Sequence, residues 1–468
     1  MQQALLRSRR TEDDMQPPFD IPADLHTPVS AYLRLAPMRP RYLLESVEAG
    51  HQGRYSFIGF GETVEVSVNP DGVYVDCSMV STELLTGLRT ALGLAPRCVP
   101  AIGDQTFSGG LVGASGFDLV RRLYSLPPSP HSPPVSHGSY MATESILVFD
   151  HLTRRIALLH SGSESERASL RREVIAMLRG SIPAGNGSGE HGASSPSMSK
   201  HEFVDAIERV KGHITAGDVY QLVLSIRFSG ETDIHPFATY RALRLLNPSP
   251  YMYYLDFGDF QVVGSSPEAL ARLSGHAAEL RPIAGTKPRG EDDDHDLLLE
   301  HQLLADAKEA AEHVMLVDLA RNDLGRTAVA GSIKVEPYRI IERYSHVMHM
   351  VSGVTGELRP DLDAFDLFAA TFPAGTVTGA PKLRAIELID QLEPVGRDLY
   401  AGSVGSFGHG GSMDQAITIR TVVFRDGNYS YQAGAGIVAD SDPEREHQEA
   451  LAKGAAIAAA FDLAEEGL

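Results

Sequence analysis

The 468-residue chain contains no tryptophan and only two cysteines, Cys77 and Cys98. Two thiols exclude a disulfide framework and a four-thiolate zinc site, and such sparing use fits a reducing compartment. Positive charge is in deficit. Against 61 Asp and Glu stand 41 Lys and Arg, for a net charge of −20. A chain so acidic is a poor binder of nucleic acid or of an anionic membrane surface, both of which reward clustered basic residues. No apolar run approaches the roughly 18 residues of a membrane span, and the first fifteen residues lack the apolar core of a secretory signal. The expectation is a cytoplasmic protein. What is present is ordinary for an enzyme: 43% hydrophobic and 22% charged residues, in a length that suits two or three domains at roughly 150 residues each.

Residues 1–19 read as a polar tail. From 20 to 179 short apolar runs alternate with turns. The period-2 run Val64–Val68 closes on Asn69-Pro70-Asp71-Gly72, a hairpin signature. A helix is expected near Ser81–Leu92, a Pro/Ser/His-rich loop over Leu126–His137, a strand pair near Ser145–Phe149 and Arg155–Leu159, and a helix over Glu164–Leu178. Residues 180–199 are rich in Gly, Ser and Pro and read as a linker. From 200 to 464 helices and strands alternate: a helix over Lys200–Ala216, strands near Tyr220–Phe228, Tyr251–Phe257 and Gln261–Gly264, one long helix over about Asp294–Leu319, and a closing helix near Asp442–Phe461. This pattern gives an α+β class, with sheets flanked by helices.

Polar motifs concentrate in the second part. Glu309 and Glu312 lie three apart in a helix-forming run. Glu446 and Glu449 repeat the spacing, with Lys453 four residues on, so each set shares a helix face. Paired carboxylates on two helices suit a hard cation such as Mg²⁺, which takes one or two carboxylates and keeps waters and substrate oxygens; a solvated acidic face is the plainer alternative. Gly434-Ala435-Gly436 stands before the acidic helix, where small residues let backbone approach an anion, or merely turn the chain. Arg281–Gly290 and Phe372–Lys382 combine turn formers, hydroxyls and cations suited to a small polyanion. The acidic run Glu291–Asp296 reads as a solvated helix start. Neither cysteine has a neighbouring histidine or a glycine-flanked elbow.

Taken in order, Pro282–Thr286, Asp306–Arg326, Glu342–Val351, Phe372–Lys382, Gly434–Val438 and Pro443–Lys453 strongly resemble the chorismate-utilising enzymes, most of all the synthase (component I) subunits of anthranilate synthases. The resemblance covers residues 200 to about 461 and extends weakly into the N-terminal part through Leu43-Leu44-Glu45-Ser46. It implies the component I-like fold, antiparallel sheets flanked by helices in a layered sandwich. It also implies chorismate as substrate, with Mg²⁺ held among Glu309, Glu312, Glu446 and Glu449. By the same resemblance Glu268 is the acid that protonates the leaving hydroxyl, and His349 acts in pyruvate elimination or orients the ring. Tyr400, Arg420, Gly434, Ala435, Gly436 and Lys453 then clamp the enolpyruvyl carboxylate, while Gly285, Thr286 and Thr376 line the ring.

Two positions select the reaction. Water-adding relatives carry a lysine base where this chain has Gln221, and aminodeoxychorismate synthases commonly carry a lysine where it has Ala284. Neither residue here can serve those roles. Ammonia is therefore the expected nucleophile and anthranilate with pyruvate the expected product, in a first step of tryptophan synthesis. The alternatives are an aminodeoxychorismate or 2-amino-2-deoxyisochorismate synthase and, in another class, a non-catalytic chorismate- or tryptophan-binding subunit. With no glutaminase nucleophile in the sequence, a separate glutamine amidotransferase subunit (component II) is the expected partner, in a hetero-oligomer. The resemblance also places an inhibitory L-tryptophan site between a regulatory N-terminal domain and the chorismate-binding one, at Glu45 and Ser46 and in the Asn247–Met252 segment with Pro250, Tyr251 and Met252.

Overall fold

A computed structural model describes residues 18–46, 53–102, 107–131, 137–183, 189–343 and 347–467; the Thr286 side chain, most of the N-terminal tail, and the middle of the 126–137 loop and of the Gly/Ser stretch lie outside them. Local chemistry explains where the elements start. Ser163 and Ser199 each accept from a backbone N–H three residues on, and Glu166 and Glu202 reach back to the cap, which starts helices at Glu164–Leu178 and Lys200–Thr215. The Asn69–Gly72 turn joins strands Tyr55–Val68 and Val73–Val75, with Asn69 N 2.9 Å from Gly72 O. The long helix expected over 294–319 is instead two, Asp293–Ala305 and Ala307–Gly325. Asp306 breaks it: its backbone is extended, and its carboxylate accepts from the N–H groups of Lys308 and Glu309, which makes it the N-cap of the second helix.

Every strand pairing among the described residues is antiparallel, in one sheet of 21 strands and a second of three. Strand Tyr42–Glu45 bonds on one side to Tyr55–Val68 and on the other to Tyr251–Asp256, and Gly110–Ser115 bonds to Ser403–Gly408. The main sheet is thus continuous between residues on either side of the Gly/Ser stretch. That stretch itself contributes Ser195–Pro196, paired with Phe228 and Ser229. Helices cover the sheet. The closing helix Pro443–Glu466 packs on strand Asn428–Ile437 and on helix Pro236–Leu246, burying Ala450, Ile457, Ala460 and Phe461. The Phe461 ring lies 4.3 Å from that of Tyr429, and burial of such a ring contributes about 2–3 kcal/mol. This anchoring fixes the helix that carries Glu446, Glu449 and Lys453. No helix among the described residues is long and apolar enough to cross a membrane.

Candidate active site

The floor is the pair Gln221–Glu231 and Asn428–Ile437, in which Val223 faces Gly436 and Ser225 faces Gly434. Gly434-Ala435-Gly436 therefore lies within a strand. It does not stand at the start of the acidic helix, which begins only at Pro443, so these amides serve the sheet rather than a helix N-terminus. Glycine is required for a different reason. A Cβ on Gly436 would stand 2.6 Å from Gln221 Nε2, and one on Gly434 2.4 Å from Leu224 O. Gln221, 4% exposed, also pairs through its backbone with Ala380, which brings the Thr/Gly/Lys loop to the same edge.

Glu268 sits between strands Gln261–Ser266 and Ala269–Ser274, its carbonyl fixed by Ile417 N at 3.0 Å. Burial pushes its carboxyl up to about 7, opposed by neighbouring Thr376 and by the charge of Lys453. The Thr376 hydroxyl, in a 3-10 turn at Gly375–Val377, is buried and has no well-aligned hydrogen bond among the described residues. Both residues line a small cavity of about 40 Å³ with Leu316, Leu319 and Asp323.

The small sheet supplies a second wall. Strand Ile283–Pro288 pairs with Val347–Val351 and bulges at Gly285, whose φ of 70° favours glycine. A Cβ there would lie 3.1 Å from Glu309 Oε2, so the bulge lets this carboxylate approach. His349 faces Thr286 across the ladder, and its Nδ1 lies 3.2 Å from Gly285 O. A carbonyl only accepts, so Nδ1 carries the proton and Nε2 the lone pair. Burial, with Arg420 nearby, lowers the imidazole pKa and keeps the ring neutral at pH 7.

The two Glu pairs converge. Burial first, then neighbouring carboxylates, raise Glu309 and Glu312; Glu449 acts on both, and on Glu446, which burial also raises. Lys453 Nζ bridges Glu449 Oε1 at 2.8 Å and Gly434 O at 3.1 Å. These crowded carboxylates are hard-oxygen donors whose mutual repulsion is offset by Lys287, Lys308 and Lys453. Among the described residues no three acidic, His or Cys side chains meet in one coordination shell.

Arg420 is a half-buried guanidinium with no carboxylate partner among the described residues; its Nη1 donates to Asn247 Oδ1 at 3.3 Å, and desolvation lowers its pKa. A desolvated cation without a countercharge favours an anionic ligand. Tyr400 lines a small polar pocket with Arg227, Arg397, Thr418, Thr421 and Gln432.

The five proposed inhibitor residues form a separate group. Glu45 faces Met252 across the ladder, and its carboxylate is held by Tyr240 Oη and by Arg244 Nε at 2.9 Å. Tyr251 Oη is held by Arg272 at 2.7 Å and Asp414 at 2.9 Å. The buried Ser46 hydroxyl has no partner among the described residues, and Pro250 is buried beside them. This group touches the catalytic one through Asn247 and Ser265: Ser265 Oγ donates to Asn247 O, and Asn247 in turn reaches Arg420.

Tyr240 and Arg244 escaped the sequence reading as site residues, and Asn247 was read only as the start of the Asn247–Met252 inhibitor segment. The i, i+4 spacing of Tyr240 and Arg244 on one helix was a visible sign of a shared partner; for Asn247 no signal pointed to Arg420.

Comparison with known proteins agrees with this geometry. The family model for chorismate binding enzymes matches residues 39–459. Component 1 of anthranilate synthase from Pseudomonas aeruginosa is 43% identical, with 96% of each chain covered, and that from Thermus thermophilus is 44% identical over 95% of this chain and 97% of its own. The crystal structure of anthranilate synthase component I from Streptococcus pneumoniae superposes with a TM-score of 0.78 at 32% identity, covering 95% of this chain and all of that one. The menaquinone-specific isochorismate synthase of Escherichia coli shares the fold, with a TM-score of 0.70 at 22% identity. The chain belongs to the chorismate binding enzyme family.

Proposed function

We propose that the protein is component I of an anthranilate synthase, converting chorismate and ammonia to anthranilate, pyruvate and water. One observation carries the chemistry: Glu268, a carboxylic acid whose pKa of about 7 leaves it protonated near neutrality, stands beside Thr376 and within the field of Lys453 at the edge of the carboxylate cluster. In this reading Arg420 takes the enolpyruvyl carboxylate, and Asn247 orients the guanidinium. Glu309, Glu312, Glu446 and Glu449 would hold Mg²⁺, which supplies countercharge and Lewis acidity to the ring carboxylate. Glu268 gives its proton to the ring hydroxyl, which departs as water while nitrogen adds to the ring. His349, neutral with its lone pair on Nε2, is placed to take the ring proton as the enolpyruvyl group leaves. Gln221 cannot deprotonate water and Ala284 cannot form a covalent link to the ring, which favours ammonia addition ortho to the carboxylate.

Residues 20–179 form the regulatory part in this reading, with tryptophan bound near Ser46 and Met252. Ammonia is delivered by a separate glutaminase subunit, and the assembly works in the cytoplasm. The test is the purified chain with chorismate, Mg²⁺ and ammonium, followed by anthranilate fluorescence. Product from ammonium, none from glutamine alone, and inhibition by tryptophan are expected. A product that needs a further lyase before it fluoresces would instead mark an aminodeoxychorismate synthase.

A further inference from the structure

Glu393 and Arg397 form the most deeply buried ion pair among the described residues, with side chains 3% and 1% exposed. A buried pair of this kind adds little net stability over apolar side chains of similar volume; its distinction lies in what it holds. The Glu393 carboxylate takes Arg397 Nη2 at 2.6 Å and Nε at 2.9 Å. Its Oε1 also accepts from Ser225 N at 2.9 Å and Ser225 Oγ at 2.7 Å. Ser225 lies on the floor strand, opposite Gly434. The guanidinium reaches further: Nη2 donates to Val223 O at 2.8 Å, and Nη1 to Val377 O at 2.7 Å.

These four bonds use all but one of the guanidinium's donors, and it packs over the rings of Phe117 and Tyr400 at 4.9 and 5.4 Å. Such a group cannot turn without breaking several contacts at once. Val377 closes the 3-10 turn Gly375–Val377, whose middle residue is Thr376. The Thr376 hydroxyl neighbours the Glu268 carboxyl, and both line one small cavity. The floor strand ties the far end of the turn through Val223 N to Thr378 O at 2.8 Å. The bond from Arg397 falls on the residue adjoining Thr376 itself.

We infer that Arg397 is a positioning residue for proton delivery by Glu268: braced on Glu393, it fixes the Gly375–Val377 turn to the floor strand and so keeps the Thr376 hydroxyl beside the acid. The inference rests on the functional reading above. A hydroxyl in that place donates to the carboxylate left behind once the proton has gone to the departing group. A shift of the turn by about 1 Å forfeits that bond, and misplacement on this scale slows an oriented reaction by up to about 100-fold. Arg397 itself reaches neither the reacting atoms nor the metal donors; it acts through Thr376. Lysine would keep the charge but lose the planar fork that spans Glu393, Val223 O and Val377 O.

The test is a double-mutant cycle of Arg397→Lys and Thr376→Val. Each protein is assayed for anthranilate across pH with chorismate, Mg²⁺ and ammonia saturating at every pH, and kcat is referred to the folded fraction by circular dichroism. Arg397→Lys is expected to lower kcat by about tenfold or more. It also moves the alkaline limb of the kcat profile to higher pH, the direction that follows when a hydrogen bond to the carboxylate is lost. Thr376→Val gives the same shift, and the combined variant is no slower than the slower single one, because both changes remove one contact. Should Arg397→Lys fail to fold, Arg397→Met with Glu393→Leu removes both buried charges and takes its place in the cycle. Effects that multiply in the cycle overturn the inference. So does a lowered Tm with the kcat and pH limb of the folded protein unchanged, which would make Arg397 a structural residue alone. Wild-type protein that forms no anthranilate from ammonium overturns the functional reading, and this inference with it.

Discussion

Replacing Glu268 by glutamine separates catalysis from stability. The folded carboxyl titrates at about 7 against 4.5 for an unperturbed glutamate. Between these values the folded chain binds more protons than the unfolded one, so this group makes stability fall as pH rises from about 4.5 to about 7, and the loss is complete above 7. At 1.36 kcal/mol per unit the cost is at most about 3 kcal/mol. Glutamine is neutral in both states and avoids the cost. The difference in Tm between Glu268→Gln and wild type should be near zero at pH 4.5–5, grow through pH 6, and level off at a gain of a few °C above pH 7.5. The acidic cluster is common to both proteins and largely cancels. Scanning calorimetry across pH 5–8.5 reads it directly, and anthranilate formation should fall by at least about 100-fold in the same variant. A Tm difference that is flat with pH, or that favours wild type at pH 8, refutes the argument that burial holds this carboxyl protonated.

Four further outcomes follow from the same geometry. Mg²⁺ should raise the wild-type Tm at pH 8 by relieving repulsion among Glu309, Glu312, Glu446 and Glu449, and Glu312→Gln or Glu449→Gln should abolish both that shift and Mg²⁺-dependent turnover, read by thermal shift and fluorescence. Arg397 is buried against Glu393 at 2.6 Å and also donates to Val377 O at 2.7 Å and Val223 O at 2.8 Å; Arg397→Met strands a buried carboxylate and should cost about 3–5 kcal/mol in urea unfolding. Arg420→Lys should raise KM for chorismate by about tenfold or more, because an ammonium cannot give the enolpyruvyl carboxylate a bidentate grip. Ser46→Phe should leave ammonium-dependent turnover within about twofold of wild type while abolishing inhibition by tryptophan; retained inhibition would remove Ser46 from that site.

Local features were readable from the sequence because short-range chemistry fixes them. The Glu164–Leu178 helix declares itself through its Ser163/Glu166 cap, and the Asn69–Gly72 hairpin through its turn residues. The break at Asp306 was missed because helical periodicity runs straight through it, whereas an Asp side chain can accept from the N–H groups that follow and so restart the helix. Gly434 and Gly436 looked like an anion-binding turn; what demands glycine is close approach by Gln221 and by the Leu224 backbone, on a strand more than 200 residues away. The pairing of Tyr42–Glu45 with Tyr251–Asp256 is non-local for the same reason, since neither run states its partner or register. For the site, spacing pointed to the two Glu pairs, whose carboxylates lie within one another's field; Glu268, His349 and Arg420 came only from the resemblance to the chorismate-utilising enzymes. The hold of Asn247 on Arg420 depends on a tertiary contact that no spacing encodes.

The central claim, that acidic side chains from two helices share one divalent ion beside the substrate, is tested most directly by anomalous diffraction from crystals soaked with Mn²⁺ and a chorismate-like dicarboxylate. The account predicts a single manganese peak between helices Ala307–Gly325 and Pro443–Glu466, within bonding reach of Glu312 or Glu449 and of the ring carboxylate. A peak elsewhere, or a ligand bound with no metal between those helices, contradicts it.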